Sequence, residues 1–299
     1  MLLNPFIVRP FVERALAEEI GPGDTTGGFL LQGDEEADAQ IYAKDRFVVA
    51  GLLLAEETFR MLDRDAELTR EVEDGQWVEP GQVLLRIHAK AWACFAAERT
   101  SLDFLQHLSA IATSTARYME ILKPYPRTRL TDTRKGVPGM RVLQKYAVRV
   151  GGGWNHLFGL HNAVLIKDNH IKIAGGVREA IEKVRAQAQH TFKVEVEVES
   201  LEQVRQALDA SAEIIMLDNM DLPTMQEAIR MIGDRAMIEV SGGITEEKLE
   251  RYAKLGVDII SSGAITHTVK AVDISLDIGE IKPSAKRQIA EQRQTVGAR

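Results

Sequence analysis

Polar and charged side chains stand at the ends of six successive short apolar runs in the second part of the sequence. The six groups are Asp132, Thr133, Arg134 and Lys135; Lys167, Asp168, Asn169 and His170; Glu197; Asp218; Glu239 and Ser241; and Ser262 and Gly263. Glu197, Asp218 and Glu239 follow one another at intervals of 21 positions. In a (β/α) barrel the carboxyl ends of the strands meet at one mouth, where active sites lie. The pattern therefore predicts an active site at a barrel mouth.

Basic side chains form the first of three parts of this predicted site. Its candidate members are Arg134, Lys135, His156 and Lys167. Arg binds planar carboxylates and phosphates through two parallel hydrogen bonds, and Lys binds them as a point charge. We therefore expect this part of the site to hold an acid.

A carboxylate pair and two glycine-rich segments form the other two parts. Glu197 and Asp218, on adjacent predicted strands, suit either Mg²⁺ held through water or positive charge that develops on a substrate. The glycine-rich segments precede predicted helices, which is typical of phosphate-binding loops in barrels. They consist of Ser241, Gly242 and Gly243 and of Ser262, Gly263 and Ala264. The three parts predict a phosphorylated, anionic substrate, and a decarboxylase and a sugar-phosphate lyase both remain open.

The elements that must position these residues alternate between strands and helices after Thr128. The predicted strands are the runs TRLTDT, AVLIKD, FKVEVEV, EIIMLD, AMIEVSG and DIISSG, and the predicted helices between them are 177–189, 201–210, 222–231 and 245–255. Strands that alternate with helices pair in parallel. Runs that are apolar on both faces are typical of strands covered on both sides. The pattern therefore predicts an α/β fold with a barrel.

The first third of the sequence predicts an α+β region. We expect a helix over 11–20, a turn over 21–27, short strands, and a long helix over 96–122 with Arg99 near its start. The spacing of Gly and Pro in 73–87 predicts a small β-sandwich and is similar to that of biotinyl and lipoyl carrier modules. Carriers hold their modified Lys in a tight hairpin beside small or Met residues, and Lys44 is a poor match. A structural role for this segment is therefore favoured.

Composition limits the classes of protein and of partner. The 299 residues predict about two domains. Lys plus Arg (37) and Asp plus Glu (44) give a net charge of −7, which disfavours nucleic acid but says nothing about the charge of one site. The single Cys94 agrees with a reducing compartment, and the longest apolar run, 47–55, is shorter than the roughly 20 residues that span a membrane. We therefore expect a cytoplasmic protein with neither a membrane nor a nucleic-acid partner.

Three motifs closely resemble quinolinate phosphoribosyltransferase, a family also called nicotinate-nucleotide pyrophosphorylase (carboxylating). They are DTRK at 132–135 followed by PG at 138–139, KYAVRVGGGWNH at 145–156, and LIKDNHI at 165–171. The segments ERTSLDFLQHLSAIAT, EVEVES, MLDNM, SGGIT and GAITHTVKAVDISLDI add to the match. The resemblance runs in order from residue 21 to residue 277, which is nearly the whole chain.

This resemblance implies a fold and a reaction. The expected fold is an N-terminal open-faced α/β sandwich, formed by 1–110 and joined by the C-terminal segment 273–299, and an incomplete (β/α) barrel over 111–272. The family works as a homodimer, in which the sandwich of one subunit caps the barrel mouth of the other. The implied reaction joins quinolinate to phosphoribosyl pyrophosphate, with Mg²⁺, and yields nicotinate mononucleotide, CO₂ and pyrophosphate for NAD synthesis.

The resemblance also implies the roles of individual residues. The expected quinolinate ligands are Arg134, Lys135, His156 and Lys167, completed by Arg99 of the partner subunit. The expected ligands of phosphoribosyl pyrophosphate are Thr133, Glu197, Asp218, Ser241, Gly242, Gly243, Ser262, Gly263 and Ala264. Glu197 and Asp218 would also hold Mg²⁺, directly or through water. The expected catalytic residues are Lys135, Lys167, Glu197 and Asp218.

Two positions depart from the family pattern. Leu157 stands where the family usually has an Arg that binds a quinolinate carboxylate, and Gly136 stands where it usually has Thr. Losing such an Arg commonly costs about 2–5 kcal/mol when the partner charge stays buried. One interpretation is compensation by another cation, such as Arg149 or Lys172. The other is weaker quinolinate binding, or a different aromatic acid substrate such as nicotinate.

A third hypothesis is a catalytically weak paralogue that acts as a ligand-binding protein. Lys135, Lys167, Glu197 and Asp218 are all present, however, and drift in an inactive site would be expected to change some of them. The sequence therefore favours an enzyme.

Overall fold

The computed structural model describes residues 3–296, with side chains as far as residue 294. The chain divides into two compact units. The first comprises the residues up to Ser114, Arg149–Gly151 and the residues from Val269 onward, and the second comprises Thr115–Val148 and Gly152–Thr268. Within the described residues, no helix has both the length and the apolar character needed to cross a membrane.

Twelve helices and twelve strands form the described part of the chain. The helices are α1 Pro5–Ile20, α2 Thr25–Leu30, α3 Leu52–Leu62, α4 Ala91–Leu122, α5 Arg141–Val150, α6 Asp168–Ala174, α7 Val177–Arg185, α8 Leu201–Asp209, α9 Leu222–Ile232, α10 Glu246–Ala253, α11 Ala264–His267 and α12 Pro283–Val296. The strands are β1 Glu36–Ala43, β2 Phe47–Val48, β3 Glu67–Arg70, β4 Trp77–Val78, β5 Val83–Lys90, β6 Arg129–Thr131, β7 Val164–Ile166, β8 Val194–Val198, β9 Ile214–Asp218, β10 Met237–Ser241, β11 Ile259–Ser261 and β12 Ile274–Ile278.

The first unit contains a four-stranded antiparallel sheet in the order β12-β1-β5-β3, and β2 pairs with β4. Along β1, Ala37 and Ala39 are buried, whereas Glu36 and Asp38, which alternate with them, are exposed. The buried face packs against a core that includes Phe59 of α3 and residues of α4. One covered face and one polar face define an open-faced sandwich, so the fold expected for this unit is confirmed.

Three element boundaries in this unit differ from the sequence prediction. Helix α1 begins at Pro5 rather than at residue 11, because the Asn4 side chain caps Ile7 N and Pro is compatible with the first turn. The expected turn 21–27 ends early, since Asp24 accepts a hydrogen bond from Gly27 N at 3.0 Å and starts α2. Helix α4 begins at Ala91, five residues before the expected start.

The second unit contains a six-stranded parallel sheet in the order β6-β11-β10-β9-β8-β7. All six predicted strands are confirmed, and α7 to α10 confirm the four predicted helices with ends shifted by up to four residues. In the described part of the chain no ladder joins β6 to β7, so the barrel is incomplete, as expected. The sequence did not predict α5, α6 and α11 of this unit, nor α2, α3 and α12 of the first unit.

The register of the parallel sheet places the polar strand ends side by side. Met216 of β9 pairs with Glu197 of β8 and with Glu239 of β10. Two residues further along, Asp218 of β9 pairs with Ser241 of β10. Because side chains alternate between the faces of a strand, these five side chains share one face of the sheet.

Candidate active site

A cavity of about 520 Å³ lies in the barrel unit, against the shared face of the sheet. Ten of the predicted site residues line it: Thr133, Arg134, Lys135, His156, Lys167, Glu197, Asp218, Ser241, Gly242 and Gly243. Leu157, Leu165, Met216, Asn219, Glu239 and Ser261 complete the lining. The structure thus brings the basic part, the carboxylate pair and one of the two glycine-rich segments into one cavity.

Four predicted site residues have other surroundings. Ser262 is buried, and its hydroxyl donates to Ile244 O at 2.9 Å. Gly263 and Ala264 stand at the start of α11, outside the cavity lining. Arg99 belongs to α4 in the first unit, where its half-exposed guanidinium lies 3.5 Å from the Asp103 carboxylate. The role implied for Arg99, in a partner's site, stays a prediction.

Hydroxyl groups fix the turn that carries the basic residues after β6. The Thr133 hydroxyl accepts a hydrogen bond from Lys135 N at 3.0 Å, and the Thr266 hydroxyl donates to Lys135 O at 2.7 Å. Gly136 follows, and the Gln144 Oε1 that accepts from Val137 N at 3.0 Å lies close against it. A Cβ at position 136 would lie 3.3 Å from Gln144 Cδ, so the departure from the family's Thr matches this packing.

Lys167 links the basic part of the site to the carboxylate part. Its Nζ lies 2.8 Å from Oε2 of Glu197, and the Lys side chain is about one third exposed. Lys167 is the N-cap residue of α6, where its backbone N donates to His170 Nδ1 at 2.9 Å. A charge-assisted hydrogen bond of this kind orients both side chains. The Lys is therefore positioned between the two predicted subsites.

The loop after β10 approaches the end of β9 closely. Asn219, which has a left-handed φ of 52°, donates from Nδ2 to Asp218 Oδ2 at 2.6 Å. Gly242 has a φ of 100°, and a Cβ there would lie 2.7 Å from the backbone N of Asn219. Only glycine fits both the conformation and the contact. The glycine-rich segment thus presses its backbone against the residues beside Asp218.

Two buried glutamates flank His156. The sequence pattern placed Glu239 at the end of a predicted strand but gave it no role, and it did not single out Glu195. The ring Nε2 lies 3.1 Å from Glu195 Oε1 and 3.4 Å from Glu239 Oε1. Burial alone would lower the pKa of His156, but the hydrogen bonds and charges of the two carboxylates outweigh it and raise that pKa to about 10. Burial raises the pKa of Glu195, and the nearby Glu239 adds to this. The alternation EVEVE, which places Glu195 on the same face as Glu197, was the available signal.

A buried ion pair supports the backbone beneath His156. Lys145 Nζ lies 2.5 Å from Asp132 Oδ1, and both side chains are fully buried. Asp132 also accepts from Asn155 Nδ2 at 2.7 Å and from His156 N at 2.8 Å. Burial raises the pKa of Asp132 and lowers that of Lys145, and their mutual attraction opposes both shifts. Removing one partner of such a pair is strongly destabilising, because it leaves a buried charge alone.

Leu157 lies in the cavity lining with 8% of its surface exposed. Lys172, one suggested replacement for the missing Arg, is largely exposed and pairs with Asp168 at 3.0 Å, outside the lining. Arg149, the other, belongs to the first unit. Arg141, which sequence reasoning did not consider, donates to Phe158 O at 3.2 Å and to Arg134 O at 3.3 Å. The structure therefore places a different cation beside the segment that follows Leu157.

The donor sets differ in their suitability for Mg²⁺. Glu197 and Asp218 offer carboxylate oxygens, which Mg²⁺ prefers, and both face the open cavity, where the ion could keep its waters. The ligating atoms of His156, Glu195 and Glu239 lie within 4.8 Å of one another. Both glutamates of that set are buried, and the set includes a nitrogen, which suits transition metals better. The predicted pair thus fits Mg²⁺.

A parallel α/β barrel with cations, carboxylates and a glycine-rich loop at the carboxyl ends of its strands defines the class of barrel proteins that bind phosphorylated, anionic ligands. Two family models match: quinolinate phosphoribosyl transferase, C-terminal domain, over residues 111–277, and its N-terminal domain over residues 24–109. A probable nicotinate-nucleotide pyrophosphorylase [carboxylating] from Bacillus subtilis is 38% identical over 276 residues, which cover 92% of this chain and 95% of that protein.

Solved structures agree with these matches. NadC from Streptococcus pyogenes is 38% identical, with a TM-score of 0.88 over 94% of this chain and 100% of that chain. The nicotinate-nucleotide pyrophosphorylase from Francisella tularensis is also 38% identical, with a TM-score of 0.88 over 93% of this chain and 98% of that chain. The chain belongs to the quinolinate phosphoribosyltransferase family.

Proposed function

We propose that this protein transfers the phosphoribosyl group of phosphoribosyl pyrophosphate to quinolinate and releases pyrophosphate and CO₂, giving nicotinate mononucleotide. The observation that carries the proposal is the single cavity that joins Arg134, Lys135 and Lys167 to Glu197 and Asp218. Its contents match a substrate pair that consists of an aromatic diacid and a phosphorylated sugar. Membership of the family supports the same reaction, which is a step of NAD biosynthesis.

The basic residues would bind the acceptor. Arg134, Lys135, His156 and Lys167 line one cavity, and they suit the two carboxylates of quinolinate. The hydroxyls and backbone N–H groups of the glycine-rich loops, together with Thr133, suit phosphate oxygens. The proposed phosphate ligands are therefore Thr133, Ser241, Gly242, Gly243, Ser262, Gly263 and Ala264. Because the Ser262 hydroxyl donates to Ile244 O and the Ser262 backbone N donates to Thr131 O, its segment would contribute the backbone N–H groups of Gly263 and Ala264.

The carboxylate pair would act where positive charge develops. The pyridine nitrogen attacks the anomeric carbon of the ribose, the bond from that carbon to pyrophosphate breaks, and pyrophosphate leaves with the electron pair. Glu197 and Asp218 would stabilise the resulting positive charge on the ribose, and the cations would stabilise the leaving group. The ring nitrogen is then cationic and stabilises the carbanion that loss of CO₂ leaves on the neighbouring carbon, and a proton then adds to the electron pair on that carbon.

Glu197 and Asp218 are also the proposed ligands of Mg²⁺. Bound there, the ion would neutralise charge on the pyrophosphate. Lys167 Nζ, 2.8 Å from Glu197, keeps one carboxylate oxygen oriented in the cavity.

We further propose a homodimer in the cytoplasm, with Arg99 of the partner subunit completing the acceptor site. Phe6 and Phe29 of the first unit are 88% and 89% exposed, and Trp92 is 40% exposed. Aromatic side chains are enriched at protein interfaces, and these three would be covered in the proposed dimer. Cys94 is a buried free thiol, which agrees with a reducing compartment.

The test is a direct assay of the purified protein with phosphoribosyl pyrophosphate, Mg²⁺ and either quinolinate or nicotinate. We expect quinolinate to give nicotinate mononucleotide and an equal amount of CO₂, measured by chromatography and by release of the labelled carboxyl carbon. Product from nicotinate with none from quinolinate would overturn the proposed acceptor. A chain with Glu197→Gln, which removes one carboxylate from the cavity, is the matched negative control.

A further inference from the structure

The ring of His156 is held by glutamates on two strands, β8 and β10, that flank β9, and the residue is also held through its own backbone. Its Nε2 contacts Glu195 on β8 at 3.1 Å and Glu239 on β10 at 3.4 Å. The backbone N of the same residue donates to Asp132 at 2.8 Å, and its carbonyl accepts from Lys145 at 3.1 Å. The His156 side chain keeps 11% of its surface exposed and lines the cavity. The ring is therefore fixed in position where an acid would bind.

The position of the two carboxylates determines which ring nitrogens of His156 carry a proton. A neutral imidazole has one N–H donor and one nitrogen that accepts. Nε2 faces carboxylate oxygens, so Nε2 carries a proton. In the neutral ring, Nδ1 would then present a lone pair, which repels a carboxylate. Two neighbouring carboxylates favour the charged ring, in which Nδ1 is also an N–H donor.

We propose that Glu195 and Glu239 are positioning residues that hold His156 as a fixed imidazolium, so that Nδ1 is a donor to the acid in the cavity. The inference rests on the proposed function for the identity of that acid. It explains why two acidic side chains lie beneath a pocket for a diacid. Both carboxylates are directed at the imidazolium, which separates their charge from the substrate.

The other carboxylates around the cavity are likewise paired with donors, and the cations lie on the substrate side. Arg134 and Lys135 on the turn after β6 add positive charge on the substrate side. Lys167 lies against Glu197, and the Asp218 carboxylate accepts from Asn219. In each of these two cases the negative charge already has a donor.

The first experiment reads the ring directly and needs no substrate. In the full-length protein labelled with ¹⁵N-histidine, the His156 signals are assigned from their loss in a His156→Gln variant. We expect both ring nitrogens to be protonated at about pH 8, well above the ordinary His pKa of about 6.5. Glu195→Gln and Glu239→Gln should each lower the midpoint of this titration by about 1 to 3 pH units. Glu199→Gln, an exposed glutamate just beyond β8, is the matched control and should not move it.

The second experiment separates binding of the acid from the other steps. Losing a charged hydrogen bond commonly costs a factor of about 10 to 150, so Glu195→Gln and Glu239→Gln should raise KM for quinolinate by about that factor. KM for phosphoribosyl pyrophosphate should stay within about twofold, since both glutamates contact His156, which is a proposed ligand of the acid and not of the phosphates. Thermal melting of each variant confirms that it is folded, and two independent variants guard against the failure of one.

Several outcomes would overturn the proposal. They are a neutral His156 ring with a proton on Nε2 alone in the parent protein, an unchanged KM for quinolinate in both folded variants, and one equivalent of a tightly bound transition metal that His156→Gln releases. If the parent ring is charged as expected but the protein makes no product from quinolinate, the proposed function fails and the charged ring stands.

Discussion

At the scale of single residues, the acceptor part of the cavity combines family features with one change of its own. Arg134, Lys135, His156 and Lys167 lie in one lining with Leu157, which replaces a basic residue by an apolar one. The neighbouring Arg141 directs its guanidinium to the carbonyl groups of Phe158 and Arg134. Because one N–H group on each terminal nitrogen already donates to these carbonyls, Arg141 stabilises the loop and has fewer donors left for a carboxylate.

A Leu157→Arg variant tests the importance of this change. An added guanidinium in the cavity lining should gain a charge-assisted hydrogen bond to a quinolinate carboxylate and lower KM for quinolinate by about tenfold. Steady-state kinetics with both substrates is the measurement. The control is Ile173→Arg, which adds the same charge at an 87% exposed position of α6 outside the lining. An unchanged KM in Leu157→Arg would show that other cations already fill this role.

At the scale of elements, the strands were predictable and several helices were not. Strands β6 to β11 are short apolar runs that end in polar residues, because the sheet is buried and its carboxyl ends carry the site. Helix α5 escaped prediction because two polar residues, Gln144 and Lys145, interrupt the apolar residues that it buries. Lys145 is tolerated there only because it meets Asp132, a contact that spans 13 positions and two elements.

The position of a site residue along its strand decides whether the sequence pattern reveals it. Residues at strand ends, such as Lys167 and Asp218, are visible because charge interrupts an apolar pattern. Glu195 lies two residues before Glu197 on the same face of β8. In the sequence, its alternation with Val is the same as that of a residue that faces solvent. Its role depends on His156, 39 positions away, and no local pattern contains that contact.

The loop between β10 and α10 provides a test at this scale. Gly242→Ala should destabilise the protein by about 1–3 kcal/mol, because it combines an unfavourable φ with a backbone clash. It should also raise KM for phosphoribosyl pyrophosphate, since the clash with Asn219 displaces the proposed phosphate loop. Gly175→Ala is the matched control: its φ is 96°, but a Cβ there meets nothing within 4 Å. Equal destabilisation by both variants would mean that the contact with Asn219 is unimportant.

At the scale of the whole molecule, net charge and local charge point in different directions. The chain carries a formal charge of −7, yet its cavity gathers Arg134, Lys135 and Lys167. Acidic surface residues such as Glu202 and Glu250 pair with basic neighbours on their own helices. The total therefore describes the solvent-facing surface, and the cavity is set by the few residues that the strand ends bring together.

The proposed active site is shared between two subunits, and mixing of inactive variants tests this sharing. If Arg99 completes the site of its partner, Arg99→Ala and Glu197→Ala homodimers are both inactive, but a mixed dimer contains one intact site. That site joins Glu197 of one chain to Arg99 of the other. Random exchange of equal amounts makes half of the dimers mixed, so about one quarter of the parent activity should return.

The controls for this experiment separate exchange from catalysis. Native mass spectrometry with one variant isotopically labelled measures how many mixed dimers form. A chain that carries both substitutions, mixed with itself in the same way, supplies the background. If Arg99 instead acted within its own chain, every site in the mixed dimer would lack one of the two side chains. Full exchange without recovered activity would therefore contradict a shared site.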